Sequence, residues 1–68
     1  MQPIKFAGEF ITLSQLMKRL NFVSSGGEVK ILLSTQVVLV NGQKEERRGR
    51  KLHSGDQVVI NGQSYRLE

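Results

Sequence analysis

Two short segments limit most strongly what this chain can fold into. Each consists of branched apolar residues followed at once by Asn-Gly, at positions 41–42 and 61–62. Asn-Gly favours the type I′ turn, which needs positive φ at both central residues and joins adjacent antiparallel strands. Residues 37–40 and 58–60 are therefore predicted as strands that enter hairpins. Residues 63–67 are predicted to form the strand that returns after the second turn.

The first half of the chain has the periodicity of helices. Four apolar residues stand at i, i+3, i+4 and i+7: Leu13, Leu16, Met17 and Leu20. This spacing places them on one helical face. Thr12 and Gln15, three residues apart, fit a capping box at the start of this face. The pattern predicts a helix over residues 12–20, with Asn21 suited to its exit.

A second helix is predicted from a cap at Ser25 to about residue 34. Ser25 and Glu28 resemble another capping-box pair. Gly26 and Gly27 fall in the first turn, where they have two interpretations. They could allow the second helix to pack close against the first, or they could leave the N–H groups of the helix start open to an anion.

Two short helices need a partner that covers their apolar faces, and the predicted sheet can supply it. Residues 4–6 are expected to add an N-terminal strand. The predicted fold class is therefore α+β, with a two-helix hairpin packed on a small, mostly antiparallel sheet. At 68 residues, the chain has room for one small domain, which is expected to span residues 1–68.

Composition excludes several functions. The chain has no cysteine and one histidine, which rules out disulfides, thiol chemistry and multi-histidine metal sites. No arrangement of carboxylates favours acid–base catalysis, so no enzyme activity, cofactor, metal or small-molecule substrate is predicted. No apolar run approaches the ~20 residues that cross a bilayer. A cytoplasmic, monomeric protein with no membrane partner is expected.

The charge of the chain points to a polyanion. Ten Lys and Arg against six Asp and Glu give a net charge of +4. Four of the five residues from 47 to 51 are cationic: Arg47, Arg48, Arg50 and Lys51. Such dense like charges repel one another unless a polyanion neutralises them, and arginine matches phosphate oxygens in geometry. The alternative is a solvated hairpin whose cations pair with Glu45 and Glu46.

Other residues carry weaker signals. Lys18, Arg19 and Lys30 are expected on the polar faces of the helices, where cations are usually solvated. The three phenylalanines fit a small core, and His53 is expected at the surface. Tyr65 could stack on a base but is rather expected to cover the sheet. This scarcity of free aromatic residues argues against a binder that relies on stacking single strands.

The order of these motifs resembles a known family. The chain carries SGGE-x-K at residues 25–30, VNG at 40–42, RRG-x-KL at 47–52 and GD at 55–56. In that order they resemble the RNA-binding domain named after ribosomal protein S4, also called the α-L motif. The similarity spans about residues 10–62 and is greatest to free-standing bacterial members of the family.

The resemblance implies a module that recognises structured RNA, either ribosomal or transfer RNA, in the context of ribosome assembly or translation. In the family, the start of the second helix and the following hairpin loop face the RNA. This implies RNA-binding roles for seven residues: Ser25, Gly27, Lys30, Arg47, Arg48, Arg50 and Lys51. Lys18 and Arg19 are second-rank candidates. The chain departs from the family at Gly26 and Gly27, where many members carry Arg or Lys, and at Val29, where a small residue is common.

Three other functions compete with RNA binding. A protein-interaction adaptor could use the basic segment or a sheet edge to dock an acidic partner. A ubiquitin-like carrier would need a C-terminal Gly-Gly, whereas residues 65–68 read Tyr-Arg-Leu-Glu. A reader of duplex DNA would need more base-reading side chains than either helix offers.

Overall fold

The computed structural model describes all residues from 1 to 68, with the two predicted helices between strands. The elements are β1 (Gln2–Ile4), β2 (Ile11–Thr12), α1 (Leu13–Arg19), α2 (Gly26–Thr35), β3 (Val38–Val40), β4 (Gln43–Lys44), β5 (Lys51–Leu52), β6 (Gln57–Ile60) and β7 (Gln63–Leu67). Five strands form one sheet in the order β1-β7-β6-β3-β4, and β2 pairs with β5 in a second, two-stranded sheet. The α+β prediction is confirmed, with β1 and β7 as the one parallel pair. Neither helix is long and apolar enough to cross a membrane.

Both Asn-Gly turns have the backbone conformation that the sequence predicts. Asn41 and Gly42 have φ of 53° and 83°, and Asn61 and Gly62 have φ of 52° and 78°. Each turn joins antiparallel neighbours, β3 to β4 and β6 to β7. The two hairpin predictions are therefore confirmed.

The helix caps agree with the sequence at α1 and only partly at α2. Thr12 and Gln15 form the complete capping box, and Asn21 follows the helix with a φ of 63°. At α2 the Ser25 hydroxyl accepts from the Glu28 N–H at 3.4 Å. The Glu28 carboxylate, however, accepts from the Ser24 hydroxyl instead of the Ser25 backbone. The second capping box is thus only half formed, because Ser24 competes for the glutamate.

The core lies between the apolar faces of the helices and one face of the larger sheet. Fifteen apolar residues form it, including Leu13, Leu16, Met17, Val29, Val38, Val58 and Ile60. Tyr65 is buried in this core, while Phe6 and Phe22 pack against it with partial exposure. Phe10 is 39% exposed, so its assignment to the core is wrong. It directly precedes Ile11, which is buried in β2, and side chains alternate between faces in extended chain.

The pairing of β2 with β5 was not predicted from the sequence. Each strand has two residues, with Ile11 opposite Leu52 and Thr12 opposite Lys51. Ile11 and Leu52 are both buried, so the pair closes one edge of the core. It also fixes the cationic segment of the chain beside the start of α1. The N-terminal strand is shifted from the predicted residues 4–6 to residues 2–4.

Candidate nucleic-acid interface

The cationic residues lie in the connection between β4 and β5 and at the start of β5. We call residues 45–51 the basic loop. The hairpin turn itself is at residues 41–42, so the prediction that the cations occupy a hairpin loop is wrong. The chain leaves the hairpin after the two residues of β4 and then crosses to the second sheet.

One carboxylate organises the basic loop. The Glu45 side chain is only 8% exposed and lies among donors from the loop that follows it. Its Oε2 accepts from the backbone N–H groups of Glu46 at 3.1 Å and Arg47 at 3.0 Å. The Arg47 Nε donates to the same oxygen at 3.1 Å, and the Arg50 Nη1 donates to Oε1 at 2.8 Å. The loop is therefore wrapped around a single buried anion.

These contacts keep Glu45 ionised. The hydrogen bond from the Arg47 side chain lowers the pKa of Glu45 to about 2, against burial, which raises it. The backbone N–H of Arg47 and the Arg50 guanidinium also lower it. The same partnership raises the pKa of Arg47. The alternative that the cations pair with neighbouring glutamates thus holds for Arg47 and Arg50, which both pair with Glu45. Arg48 and Lys51 have no acidic partner.

The basic loop also caps the first helix. The backbone N–H of Leu13 donates to the carbonyl oxygen of Arg50 at 2.8 Å, and that of Ser14 donates to the carbonyl oxygen of Arg48 at 2.9 Å. The first N–H groups of a helix have no partner within it, so the loop carbonyls satisfy them. The loop backbone is held by α1, and the exposed side chains of Arg47 and Arg48 are left at the surface.

The second helix meets the other side of the loop. The Arg48 Nη1 donates to the carbonyl oxygen of Gly26 at 3.3 Å. Lys30, Arg47, Arg48 and Gly49 line a concavity of about 360 Å³ together with Glu46 and Leu33. A second concavity of about 460 Å³ is lined by Arg47, Gly49, Arg50 and Lys51. We call the two concavities, which share Arg47 and Gly49, the basic groove.

Of the two glycines at the start of α2, only Gly26 lies near this loop. A Cβ at Gly26 would have the Arg48 Nη1 as its nearest neighbour, at 3.9 Å, and one at Gly27 would have only the Ser25 Oγ within 4.0 Å. Nothing from α1 lies within that range. The interpretation that these glycines allow close helix packing is therefore wrong. Gly27 is exposed, whereas Arg48 partly covers Gly26.

The structure gathers most of the residues that the sequence singled out. Five of them line the basic groove: Lys30, Arg47, Arg48, Arg50 and Lys51. Ser25 and Gly27 are exposed at the start of α2 without lining the groove. Lys18 and Arg19 occupy the last turn of α1, are exposed and form no ion pair. Cations at this end of a helix interact favourably with its dipole.

Sequence reasoning treated Glu45 and Glu46 alike as partners of the cations and missed that Glu45 is buried and holds both Arg47 and Arg50. Its neighbour Glu46 is of the same type and equally close to the arginines in sequence. Yet Glu46 is 68% exposed and pairs with Lys44 at 3.3 Å. The usable signal was the position of Glu45 directly after the short strand that follows the Asn41-Gly42 turn. Its backbone N–H donates to the carbonyl oxygen of Val38 at 2.8 Å, which extends the β3–β4 pairing by one residue.

Comparison with known proteins gives two matches. A sequence profile described as S4 domain matches residues 4–68. A protein of Bacillus subtilis (strain 168), described as a probable ribosome maturation protein RlbA, is 48% identical over 60 residues. The aligned part covers 88% of this chain and 84% of that protein.

Proposed function

This chain belongs to the S4 domain family, and from that premise we propose that it binds structured RNA, with ribosomal RNA as the favoured partner. The observation that carries the proposal is the convergence of five cations from α2 and the basic loop on one groove. The description of the Bacillus subtilis relative as a ribosome maturation protein supports a ribosomal partner. The proposed role is binding rather than catalysis.

Charge neutralisation would supply most of the affinity. Phosphate contacts release condensed counterions, and this term dominates sequence-independent binding. Lys30, Arg48 and Lys51 have no acidic partner, so their charge is available in full. An arginine has five N–H donors, so Arg47 and Arg50 keep donors for phosphate oxygens while they hold Glu45.

Glu45 would also lower the entropic cost of binding. Long cationic side chains lose rotamer freedom when they bind. Arg47 and Arg50 are already positioned by hydrogen bonds to the Glu45 carboxylate. The start of α2 would set the register of the RNA, because the N–H groups of Gly26 and Gly27 have no acceptors within the helix. Phosphate contacts of this kind position a protein without reading sequence.

The salt dependence of RNA binding tests this proposal. If all five groove cations contact phosphates, log K against log salt should have a slope of about −3.5 to −4.5. The measurement is fluorescence anisotropy with labelled ribosomal RNA fragments at several salt concentrations. Lys30→Ala should make the slope shallower by about one unit. Lys5→Ala, which removes an exposed cation outside the groove, should leave it unchanged.

A slope near zero would contradict the proposal. So would the absence of RNA binding together with capture of an acidic protein from ribonuclease-treated lysate, which would favour the adaptor function instead. The ribosomal preference is tested separately, by cosedimentation with the ribosomal subunits of Bacillus subtilis.

A further inference from the structure

Phe10 is an exposed aromatic residue that the core does not use. It lies directly before β2 and is 39% exposed, and it belongs neither to the core cluster nor to the residues packed against that cluster. The Lys51 Nζ stands 4.9 Å from the centroid of its ring. The His53 ring is tilted by 52° with its centroid 6.2 Å away. Two rings and an ammonium group thus share one small surface.

This aromatic surface continues the basic groove. Lys51 lines the groove beside Arg47, Gly49 and Arg50 and also covers the Phe10 ring. The pairing of Thr12 with Lys51 across β2 and β5 explains the proximity, because it places the residues just before β2 beside β5. RNA held by the groove cations would therefore have an aromatic ring at the Lys51 end.

We propose that Phe10, flanked by His53, stacks an unpaired base next to the RNA helix held in the basic groove. This inference rests on the proposed function and adds the class of RNA: a duplex with an adjoining unpaired nucleotide. Bases in loops, bulges and ends can leave the helix and stack on aromatic side chains, whereas bases paired inside a helix are already stacked on their neighbours. A cation–π contact at an exposed site is weak, so the Lys51 ammonium can leave the ring for a phosphate when a base takes its place.

The test compares two RNA probes of the same duplex sequence, one blunt and one with an unpaired purine overhang. Phe10→Ala should weaken binding of the overhang probe by roughly tenfold and leave the blunt probe almost unchanged. Phe10→Leu, which keeps an apolar side chain without a ring, should behave like Phe10→Ala. Phe10→Trp should retain the preference for the overhang. Circular dichroism of all three variants should match the original chain, since the core does not include Phe10.

Phe10→Trp also gives a direct signal. The chain has no tryptophan, so the introduced indole would be the only one. Its fluorescence should be quenched more strongly by the overhang probe than by the blunt probe at equal saturation. Equal effects of Phe10→Ala on both probes, with equal quenching, would overturn the stacking site and leave the groove intact. Binding of neither probe would overturn the proposed function and the stacking site with it.

Discussion

Replacing Lys30 and Arg48 together with glutamate is expected to weaken RNA binding by at least about 100-fold at ~0.1 M salt. Each removed phosphate contact costs about tenfold in affinity under these conditions, and the two new anions add repulsion. Lys30 lies on α2 and Arg48 on the basic loop, so the pair changes both walls of one concavity. The measurement is the dissociation constant for labelled ribosomal RNA.

These two residues are chosen because their side chains do little for the fold. Both are exposed, neither has an ion-pair partner, and their one side-chain hydrogen bond is from Arg48 to the Gly26 carbonyl. Arg48 caps α1 through its backbone oxygen, which the substitution keeps. Arg47 and Arg50 are unsuitable, because their reversal would place a second carboxylate against Glu45.

A matched control separates local from overall charge. Lys5→Glu with Arg66→Glu makes the same change in net charge at exposed positions after β1 and on β7. This control is expected to weaken binding far less than the groove pair. Equal losses in the two double variants would show that only net charge matters, which would contradict a binding site in the basic groove.

Replacing Glu45 with glutamine is expected to lower the free energy of unfolding by about 2 kcal/mol at neutral pH. The substitution removes a buried charged acceptor that serves Arg47, Arg50 and the backbone of the basic loop. The Arg47 side chain is 73% exposed and can return to water, so the loss stays below that of a fully buried ion pair. For a chain of this size the melting temperature should fall by roughly 10 °C.

The control for this variant is Glu46→Gln. Glu46 precedes the same arginines but is 68% exposed and pairs only with Lys44, so a change within about 0.5 kcal/mol is expected. Urea denaturation followed by circular dichroism measures both variants. Equal stabilities of the two variants would contradict the organising role of Glu45.

The dependence of folding stability on pH in acid gives a second test of the role of Glu45. The pKa of Glu45 is about 2 in the folded chain and about 4.3 when unfolded. Because the pKa of Glu45 is lower in the folded chain than in the unfolded chain, ionised Glu45 stabilises the fold at every pH above its unfolded pKa. This stabilisation is lost as the pH falls from the unfolded pKa to the folded pKa. The stability difference between the original chain and Glu45→Gln should therefore be constant above about pH 5 and shrink between about pH 4.3 and 2. A difference that stays constant down to pH 2 would contradict the account.

Asp56 does not disturb this comparison, because both proteins contain it. Burial raises the pKa of Asp56, but the His53 backbone N–H and the Asn41 side-chain amide lower it, and the net shift is downward. The amide of Asn41 also accepts from the Gln57 N–H at 2.9 Å. Asp56 thus ties the β3–β4 turn to the start of β6, and its acid titration contributes equally to the two curves.

The parts of the fold that the sequence predicted are those decided by neighbouring residues. The Asn-Gly turns are local because two adjacent residues determine the positive φ values. The cap of α1 is local because Thr12 and Gln15 are three residues apart. The prediction of the second capping box was only half right, since the Glu28 carboxylate binds the Ser24 hydroxyl. With two adjacent serines, the sequence does not indicate which of them the glutamate contacts.

The unpredicted features depend on contacts between distant residues. Two-residue strands such as β2 and β5 carry no recognisable pattern, and only their pairing buries Ile11 and Leu52 together. That pairing also places Phe10 beside Lys51 and docks the basic loop on α1. The sequence therefore indicated the cations that line the basic groove, while the carboxylate that holds two of them and the helix that supports them required the structure.

The central claim is that RNA lies in the basic groove, and the most direct test is a map of amide chemical shifts. A uniformly ¹⁵N-labelled sample of the chain is titrated with a ribosomal RNA fragment and followed residue by residue. The largest shifts should fall on residues 26–30, at the start of α2, and on residues 47–51, in the basic loop. Residues 2–4 and 63–67 should stay nearly unchanged. Shifts confined to residues 31–37, where Ile31 and Val37 are exposed, would contradict the account.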